Sequence, residues 1–471
     1  MKFISHALGK TTDSICSEDI VNYIKNNKIQ ILNLCYVGSD SCLKCISVPT
    51  SDISYIEDIL SHGDRRASVF LHERIKNEGI YIFPIYSTAF LNPFSSSPTL
   101  NILCYCLNRV KELSAYAPST VLTKGVDKFT KDTGLTINVG GELEYYVLYP
   151  EAYEVFKSTK KHYDATTPFT VYEDMRNEAV QIISSLGIPI KYAHSESGKI
   201  AGAEQHEIEF LSVPICEAAD NMVVAKWVVC NVAQKYGVSV SFSPVVEYGK
   251  SGTGMHFHLE LIRDGKNIVL DEQGKVSLES KKAIGGLLKF AKSLCAFGNP
   301  IPTSYLRLMR RKETPYGICW SERSRKALIR IPEQISEQTV EFRTADGTAV
   351  IHFLLAGLTV AMRVGLQDDS SDSLETAEKL YIKDEEIPSK IAKECLNVCG
   401  VTRFIIPAFL TYFSIIFHPP IRESALPLGL RNNISVSLPF LIIGLEFFKY
   451  KFIASLAYPP MGTNLILLPL P

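Results

Sequence analysis

The chain has 471 residues, 46% of them hydrophobic and 21% charged, with a formal net charge of -1. That is enough apolar material for a large core in more than one domain, and too little net charge to draw in nucleic acid or anionic lipid. Twelve cysteines in this length do not make a disulfide scaffold, and the opening ten residues lack the apolar core of a signal peptide, so the expectation is a cytoplasmic protein with reduced thiols.

Residues 14–27 predict a short helix started by Ser17 and the acids after it. Residues 29–37 and 42–48 read as strands around a Gly38-Ser39-Asp40 turn, and 79–86 and 100–107 add two more. Together these make a small α+β unit over residues 1–110. Residues 119–133 predict a helix stopped by Gly134, 136–149 a long strand, and 172–186 and 216–236 further helices. Strands follow at 238–247 and 254–262 with a glycine-rich loop between them, then helices at 279–297 and 349–366 and a polar loop at 367–373. This larger unit spans 111–400. The last segment, 401–471, carries few charges, and its apolar stretches at 404–417 and 434–448 contain Pro407 and Pro439 and are short for a membrane span. It reads as a buried or oligomer-facing tail, with membrane association ranked below that. Cys42 with Cys45, and Cys104 with Cys106, show half the spacing of a zinc site, and structural cysteines are the expectation.

Three short patterns carry chemistry. Glu142-Leu-Glu144, His256-Phe-His258 and Glu341-Phe-Arg343 each put two polar groups at i and i+2, which a strand turns to one face. One such pair fits a solvated sheet face equally well. Three in strongly apolar strands are harder to place there, because enclosed charges need each other or a metal. A fourth cluster, Gly202 to Phe210, holds Glu204, Glu207 and Glu209 with His206. Carboxylates with a single histidine suit a hard ion that also holds phosphate oxygens, Mg²⁺ or Mn²⁺.

Residues Thr303 to Arg343 contain seven arginines, several beside apolar residues such as Leu306, Leu328 and Ile329. A guanidinium in an apolar run requires an anion, and its planar fork suits carboxylate or phosphate. Arg310, Arg311 and Arg323 are the ones best assigned to a solvated face. Gly249-Lys-Ser-Gly-Thr-Gly254 is not a Walker loop, because Pro244 stands where that motif requires glycine. The loop instead lets backbone approach a ligand, with Gly252 at the contact.

The ordered series N-P-x-x-x-S-Y-x-R-L, x-x-x-x-E-x-P, W-S-x-R-x-R-x-A-L-I-R-I-P and V-E-F-R, with the upstream patterns, resembles the catalytic signature of glutamine synthetases over about residues 60–385. The resemblance implies an α+β fold: a β-grasp-like N-terminal domain (1–110), a catalytic domain with a curved antiparallel sheet (111–400), and an unmatched apolar tail (401–471). It implies an ATP-dependent ligase that joins ammonia to glutamate through a γ-glutamyl phosphate, with two or more Mg²⁺ or Mn²⁺ ions per site, in a ring-shaped homo-oligomer. Residue by residue it implies Glu144, Glu196 and Glu207 around one ion and Glu142, His256 and Glu341 around the other. Arg307 would hold the α-carboxylate of glutamate and Arg343 the carboxylate under attack, with Gly252 at the amino acid. Arg325 and Arg330 would face the ATP phosphates, His258 would contact nucleotide or be an ordinary sheet histidine, and Glu313 would be the flap acid that closes the site.

Several positions depart from the family pattern. The stretch from Glu196 to Glu207 is about three residues longer than in bacterial members. Gly63 to Ser68 stands in place of a D-G-S-S-like loop whose aspartate binds ammonium on the neighbouring subunit's site. An ungapped count puts Arg65 at that aspartate, and a shift of one puts Asp64 there. An arginine there would repel ammonium by about 1 kcal/mol at 4 Å in water, and more in a drier pocket. Ser251 and Gln338-Thr339 are also atypical, and Tyr381 resembles a tyrosine that some bacterial members adenylylate. A γ-glutamyl ligase for another amine and a non-catalytic homologue are the alternatives.

Overall fold

In the computed structural model, which describes residues 2–66, 80–108, 110–150, 162–309, 314–315, 317–333 and 338–383, the apolar runs expected as strands assemble into two sheets. All the described residues belong to one unit, Met1–Val398. The tail 401–471, Glu313, Arg310 and Arg311 lie outside them.

The first sheet contains β1 (Ile31–Val37), β2 (Leu43–Pro49), β3 (Asp64–Arg66), β4 (Ile80–Pro84), β5 (Phe90–Leu91) and β6 (Thr99–Leu107). Its order is β2-β1-β6-β4-β3, with β5 alongside β6. Only β1 and β6 run parallel, so the first and last strands meet at the centre, as in a β-grasp. The helices α1 (Phe3–Leu8), α2 (Ser17–Asn26) and α3 (Ile53–His62) share one core with the sheet, in which Ile20, Ile24, Ile56 and Leu60 meet Leu32, Leu34 and Ile102. The start of α2 differs from expectation. Ser17 is its first helical residue and Cys16 its cap, whose backbone N–H donates to Asp19 Oδ2 at 3.1 Å. The acids of the first turn thus act on the end of the helix dipole while Asp19 closes a capping box.

The second sheet contains β7 (Thr136–Leu148), β8 (Ile190–Ile200), β9 (Ala203–Pro214), β10 (Ser239–Ser241), β11 (Phe257–Arg263), β12 (Lys266–Asn267), β13 (Gly317–Ser321), β14 (Ala327–Arg330) and β15 (Val340–Phe342). Its order is β13-β14-β15-β11-β7-β9-β8, with β10 on β7 and β12 on β11. Every pair is antiparallel except β13–β14, so both sheets are mixed and the fold is α+β. Around it lie α4 (Pro118–Thr133), α5 (Glu173–Ser185), α6 (Ile215–Lys235), α7 (Leu278–Lys289), α8 (Ala291–Gly298), α9 (Pro302–Met309), α10 (Ile351–Leu366) and α11 (Asp372–Lys379). Gly134 ends α4 at φ 69°, in the left-handed region that glycine occupies without strain.

Two sequence expectations are corrected here. The strand expected over 238–247 is only Ser239–Ser241. Beyond it Pro244, which has no N–H for a ladder, offers its carbonyl to Thr253 N at 3.2 Å. The single helix expected over 279–297 is two, α7 and α8, because Phe290 leaves helical geometry at φ -100° and ψ 9°. The described cysteines are free thiols, Cys42, Cys45, Cys104 and Cys106 among them. No described helix is long and apolar enough to cross a membrane.

The buried helix α10 approaches α7 so closely that glycine is required at the contact. A Cβ on Gly365 would stand 2.1 Å from Lys282 O, and one on Gly286 2.1 Å from Ala361 O. Gly365→Ala is therefore expected to destabilise the fold by about 1–3 kcal/mol, the usual cost of overpacking. A urea midpoint unchanged from the parent would contradict the contact.

Candidate functional site

Strand alternation builds the site. On β7, Glu142 lies opposite Glu209 of β9 and Glu144 opposite Glu207. On the other side, β11 joins β7 to β15 and sets His258 opposite Glu341. Gln205, Glu207 and Glu209 alternate along β9, so they share a face. Glu204 and His206 therefore turn to the opposite face. This corrects the expectation that Glu204 belongs with Glu207 and Glu209 in one cation-binding cluster. Glu196 reaches the site through a bulge, since β8 shifts register against β9 between Ser195 and Lys199. The bulge takes up extra residues of the long Glu196–Glu207 connection.

These elements form an open cleft, whose lining includes Glu142, Glu144, Glu196, Glu207, Gly252, His256, Arg307, Arg325 and Arg343. Glu144 Oε2 accepts from Gly254 N at 2.8 Å and from Gln205 Nε2 at 2.8 Å. Gln205 Nε2 also donates to Gly252 O at 3.1 Å, which ties the glycine loop to the carboxylates. Gly254 leaves room for these side chains, since a Cβ there would stand 2.7 Å from Glu144 Oε1 and 2.9 Å from Arg307 Nη2 and would displace them. Glu142 is bonded to His256 Nδ1 and, at 2.9 Å, to His258 Nε2. Arg307 Nη1 donates to Thr344 O at 2.9 Å, and its Nη2 points at His256 Nε2 from 3.4 Å.

Other predicted residues lie off the cleft wall. Glu341 is fully buried and ion-paired with Arg343 Nη1 and, at 3.0 Å, with Arg330 Nη1. It lies 3.8 Å from His256 Nδ1. His258 sits behind Glu142 and is bonded through Nδ1 to Thr339 Oγ1 at 3.0 Å. Asp64 and Arg65 are on β3, an edge strand of the first sheet, opposite Ile82 and Tyr81. Tyr381 packs its ring 4.8 Å from that of Trp320.

Three groups have metal-ligating spacing among the described residues: Glu142 with Glu144 and His256, Glu142 with Glu209 and His258, and His194 with Glu196 and Glu207. The sets implied by the resemblance, Glu144 with Glu196 and Glu207, and Glu142 with His256 and Glu341, draw on the same residues, with all but Glu341 lining the one cleft. Sequence reasoning passed over His194, whose Nε2 is 3.4 Å from Glu207 Oε2, and Gln205. The i, i+2 spacing of His194 with Glu196, and of Gln205 with Glu207, is the same signal that identified the other pairs.

The carboxylates crowd one another. Burial, then the charge of Glu196, pushes Glu144 up to about 7, with Arg307 opposing. Burial and the charges of Glu142, Glu144 and Glu196 raise Glu207 well above the usual range. Burial works against ionisation of Glu142 too, but His256 and His258 outweigh it and hold it well below that range. Burial and the Arg343 charge push His256 down to about 4, so it is a neutral ring that donates from Nδ1 to ionised Glu142. Carboxylates held this close are the donor set a hard cation satisfies.

A pH dependence follows for the cation-free protein. A raised carboxyl contributes stability that is fully present below its unfolded value near 4.5 and is lost as pH rises through about 7 for Glu144. His256, lowered to about 4, acts oppositely up to 6.5, so the fall is read above pH 6.5. Melting temperature in chelator is expected to drop between pH 6.5 and 8, and saturating Mn²⁺ to remove the drop. An identical slope with and without Mn²⁺ would contradict cation binding at Glu144 and Glu207.

Comparison with known proteins adds to this geometry. The model of the glutamine synthetase catalytic domain matches residues 115–398. A glutamine synthetase of Rhizobium meliloti (strain 1021) is 27% identical over 423 residues, covering 82% of this chain and 88% of that protein. A 3-hydroxylaminophenol mutase of Cupriavidus pinatubonensis is 26% identical over 411 residues, covering 80% of this chain and 87% of that protein. The cryo-EM structure of Plasmodium falciparum glutamine synthetase superposes with a TM-score of 0.73 at 17% identity, over 95% of this chain and 98% of that one.

Proposed function

The chain belongs to the glutamine synthetase family, and on that premise we propose that it is an ATP- and divalent-cation-dependent ligase that joins ammonia to glutamate. The observation that carries this reading is the convergence, in one cleft, of four carboxylates, a histidine and three arginines from distant strands and loops. In this reading Glu144, Glu196 and Glu207, with His194, hold one Mg²⁺ or Mn²⁺, and Glu142 and His256, with Glu341 beside them, hold another. When bound, such ions offset charge on a phosphoryl group in transfer.

The chain's own residues do the positioning. Arg307 takes the α-carboxylate of glutamate, beside the backbone of Gly252. Arg343, fixed by Glu341 and by its Nε donation to Arg325 O at 3.2 Å, aligns the side-chain carboxylate. Arg325 and Arg330 face the ATP phosphates, and His258 backs the nucleotide side of the cleft. A glutamate oxygen attacks the γ-phosphorus and ADP leaves, giving the γ-glutamyl phosphate. Ammonia then attacks the carbonyl carbon, and phosphate departs with the former carboxylate oxygen. Glu313, which lies outside the described residues, takes by family resemblance the role of the acid that helps take the ammonium proton, and Asp64 of a neighbouring subunit receives ammonium. This makes a ring-shaped homo-oligomer part of the proposal, with cytoplasmic location, a β-grasp-like N-terminal domain over 1–110 and a catalytic domain over 111–400.

A second reading, a γ-glutamyl ligase for another amine, is favoured by Arg65 next to Asp64 and by a relative whose name describes another reaction. Phosphate release with ATP, Mg²⁺ and glutamate, measured across a panel of amines, decides between them. Fastest turnover with ammonium supports the first reading, and fastest turnover with a larger amine the second. ATP binding without any phosphate release would instead support a non-catalytic homologue.

A further inference from the structure

A second set of buried polar side chains lies on the opposite face of β9, where the proposed chemistry does not use it. Glu204 is fully buried. Its Oε1 accepts from Thr170 Oγ1 at 2.8 Å, Val171 N at 3.0 Å, Tyr172 N at 2.7 Å and His206 Nε2 at 3.1 Å. Its Oε2 is 3.7 Å from His162 Nε2. Burial opposes ionisation of this carboxyl, and the neighbouring His162 and His206 rings outweigh burial and hold it far below the usual range.

The contacts lead to Ser195, the last residue of β8 paired before its bulge, and to Glu196, the first residue within it. His162 donates from Nδ1 to the carbonyl of Glu196 at 2.8 Å. Arg176 Nη1 donates to Ser195 Oγ at 3.0 Å and stands 3.4 Å from His206 Nδ1. Ser195 Oγ donates to Ala165 O, and Ser195 O accepts from Asp164 N, both at 2.8 Å. A bulge leaves its residues outside the strand ladder, so its backbone takes its position from side chains. A buried ion network adds little net stability, and its return is a fixed geometry.

We propose that Glu204 is a positioning residue which, through His162, fixes the bulge so that the Glu196 carboxylate faces the cleft for cation binding. This rests on the reading of Glu196 as a cation-holding residue. The path runs from the Glu204 carboxylate, 3.7 Å from His162 Nε2, through the ring to the Glu196 carbonyl held at 2.8 Å by Nδ1.

Mn²⁺ titration of the purified full chain, followed by the electron paramagnetic resonance of free Mn²⁺, tests this without turnover. Glu204→Gln keeps the shape and removes the charge, and His162→Phe removes the donor to Glu196. Each is expected to weaken one class of Mn²⁺ site about tenfold, as loss of an outer partner of a ligand does, and to leave the other class unchanged. His162→Asn, whose amide can replace the Nδ1 donor, is expected to keep most of the affinity. Glu196→Gln should weaken the same class, and adding Glu204→Gln to it should cost nothing more, since the two act on one ligand. Unchanged Mn²⁺ affinity in folded Glu204→Gln and His162→Phe overturns the positioning role and leaves the cation site standing. A parent protein that binds no Mn²⁺ overturns both. If Glu204→Gln does not fold, the contrast between His162→Phe and His162→Asn decides, and equal affinities there overturn the role.

Discussion

Glu142→Ala is expected to lower ATP- and glutamate-dependent phosphate release about 10³-fold, the scale of losing a bound cation's charge stabilisation. Glu142 belongs to two of the three groups with metal-ligating spacing. It is also the acceptor for both His256 Nδ1 and His258 Nε2. Alanine removes the charge and leaves two buried imidazoles without their partner. Mn²⁺ binding should fall together with turnover, while Glu142→Gln, which keeps an acceptor oxygen but no charge, should preserve the fold and still lose the cation. Steady-state phosphate release and Mn²⁺ titration on the same preparations check this. Full turnover in folded Glu142→Ala would remove the central carboxylate from the mechanism.

The second large effect is expected at Arg343. Its side chain is 2% exposed and is fixed at Nη1 by Glu341 and at Nε by Arg325 O. Lysine keeps the charge and loses the planar fork that aligns a carboxylate with the transferring phosphoryl group. Arg343→Lys is therefore expected to cut kcat about 10³-fold, as removing an arginine from a phosphoryl-transfer site does. Glu341 retains Arg330 at 3.0 Å, so the fold should survive. A loss of kcat below about tenfold, with glutamate KM alone raised, would make Arg343 a binding residue only.

Much of this arrangement is legible in the sequence because strands repeat every two residues. Glu142 and Glu144, His256 and His258, and Glu341 and Arg343 each announce a shared face, and the sheet register brings the three pairs together. The same rule, applied strictly along β9, separates Glu204 from Glu207. The acidic composition of Gly202 to Phe210 obscures that separation, although Glu204 and Glu207 differ by an odd number. His194 carries the same two-residue spacing to Glu196 as the other pairs, and what no local pattern encodes is its 3.4 Å approach to Glu207 on β9. The ion pairs that hold Glu341 behind the cleft depend on Arg330 crossing from β14, a contact that no local pattern encodes. Among the elements, the strand expected over 238–247 ended early because apolar composition continues past Pro244 while the ladder cannot. The break at Phe290 lies inside a helical apolar pattern that runs through both α7 and α8.

The most direct measurement uses glutamate labelled with ¹⁸O in its side-chain carboxylate, with ATP, Mg²⁺ and ammonium, and reads the mass of the phosphate released. Attack by that carboxylate on the γ-phosphorus, followed by attack of ammonia on carbon, must transfer one labelled oxygen to each phosphate. Phosphate carrying one ¹⁸O, in step with glutamine, is the predicted result. Unlabelled phosphate would mean that water had attacked the nucleotide and that the cleft does not activate glutamate.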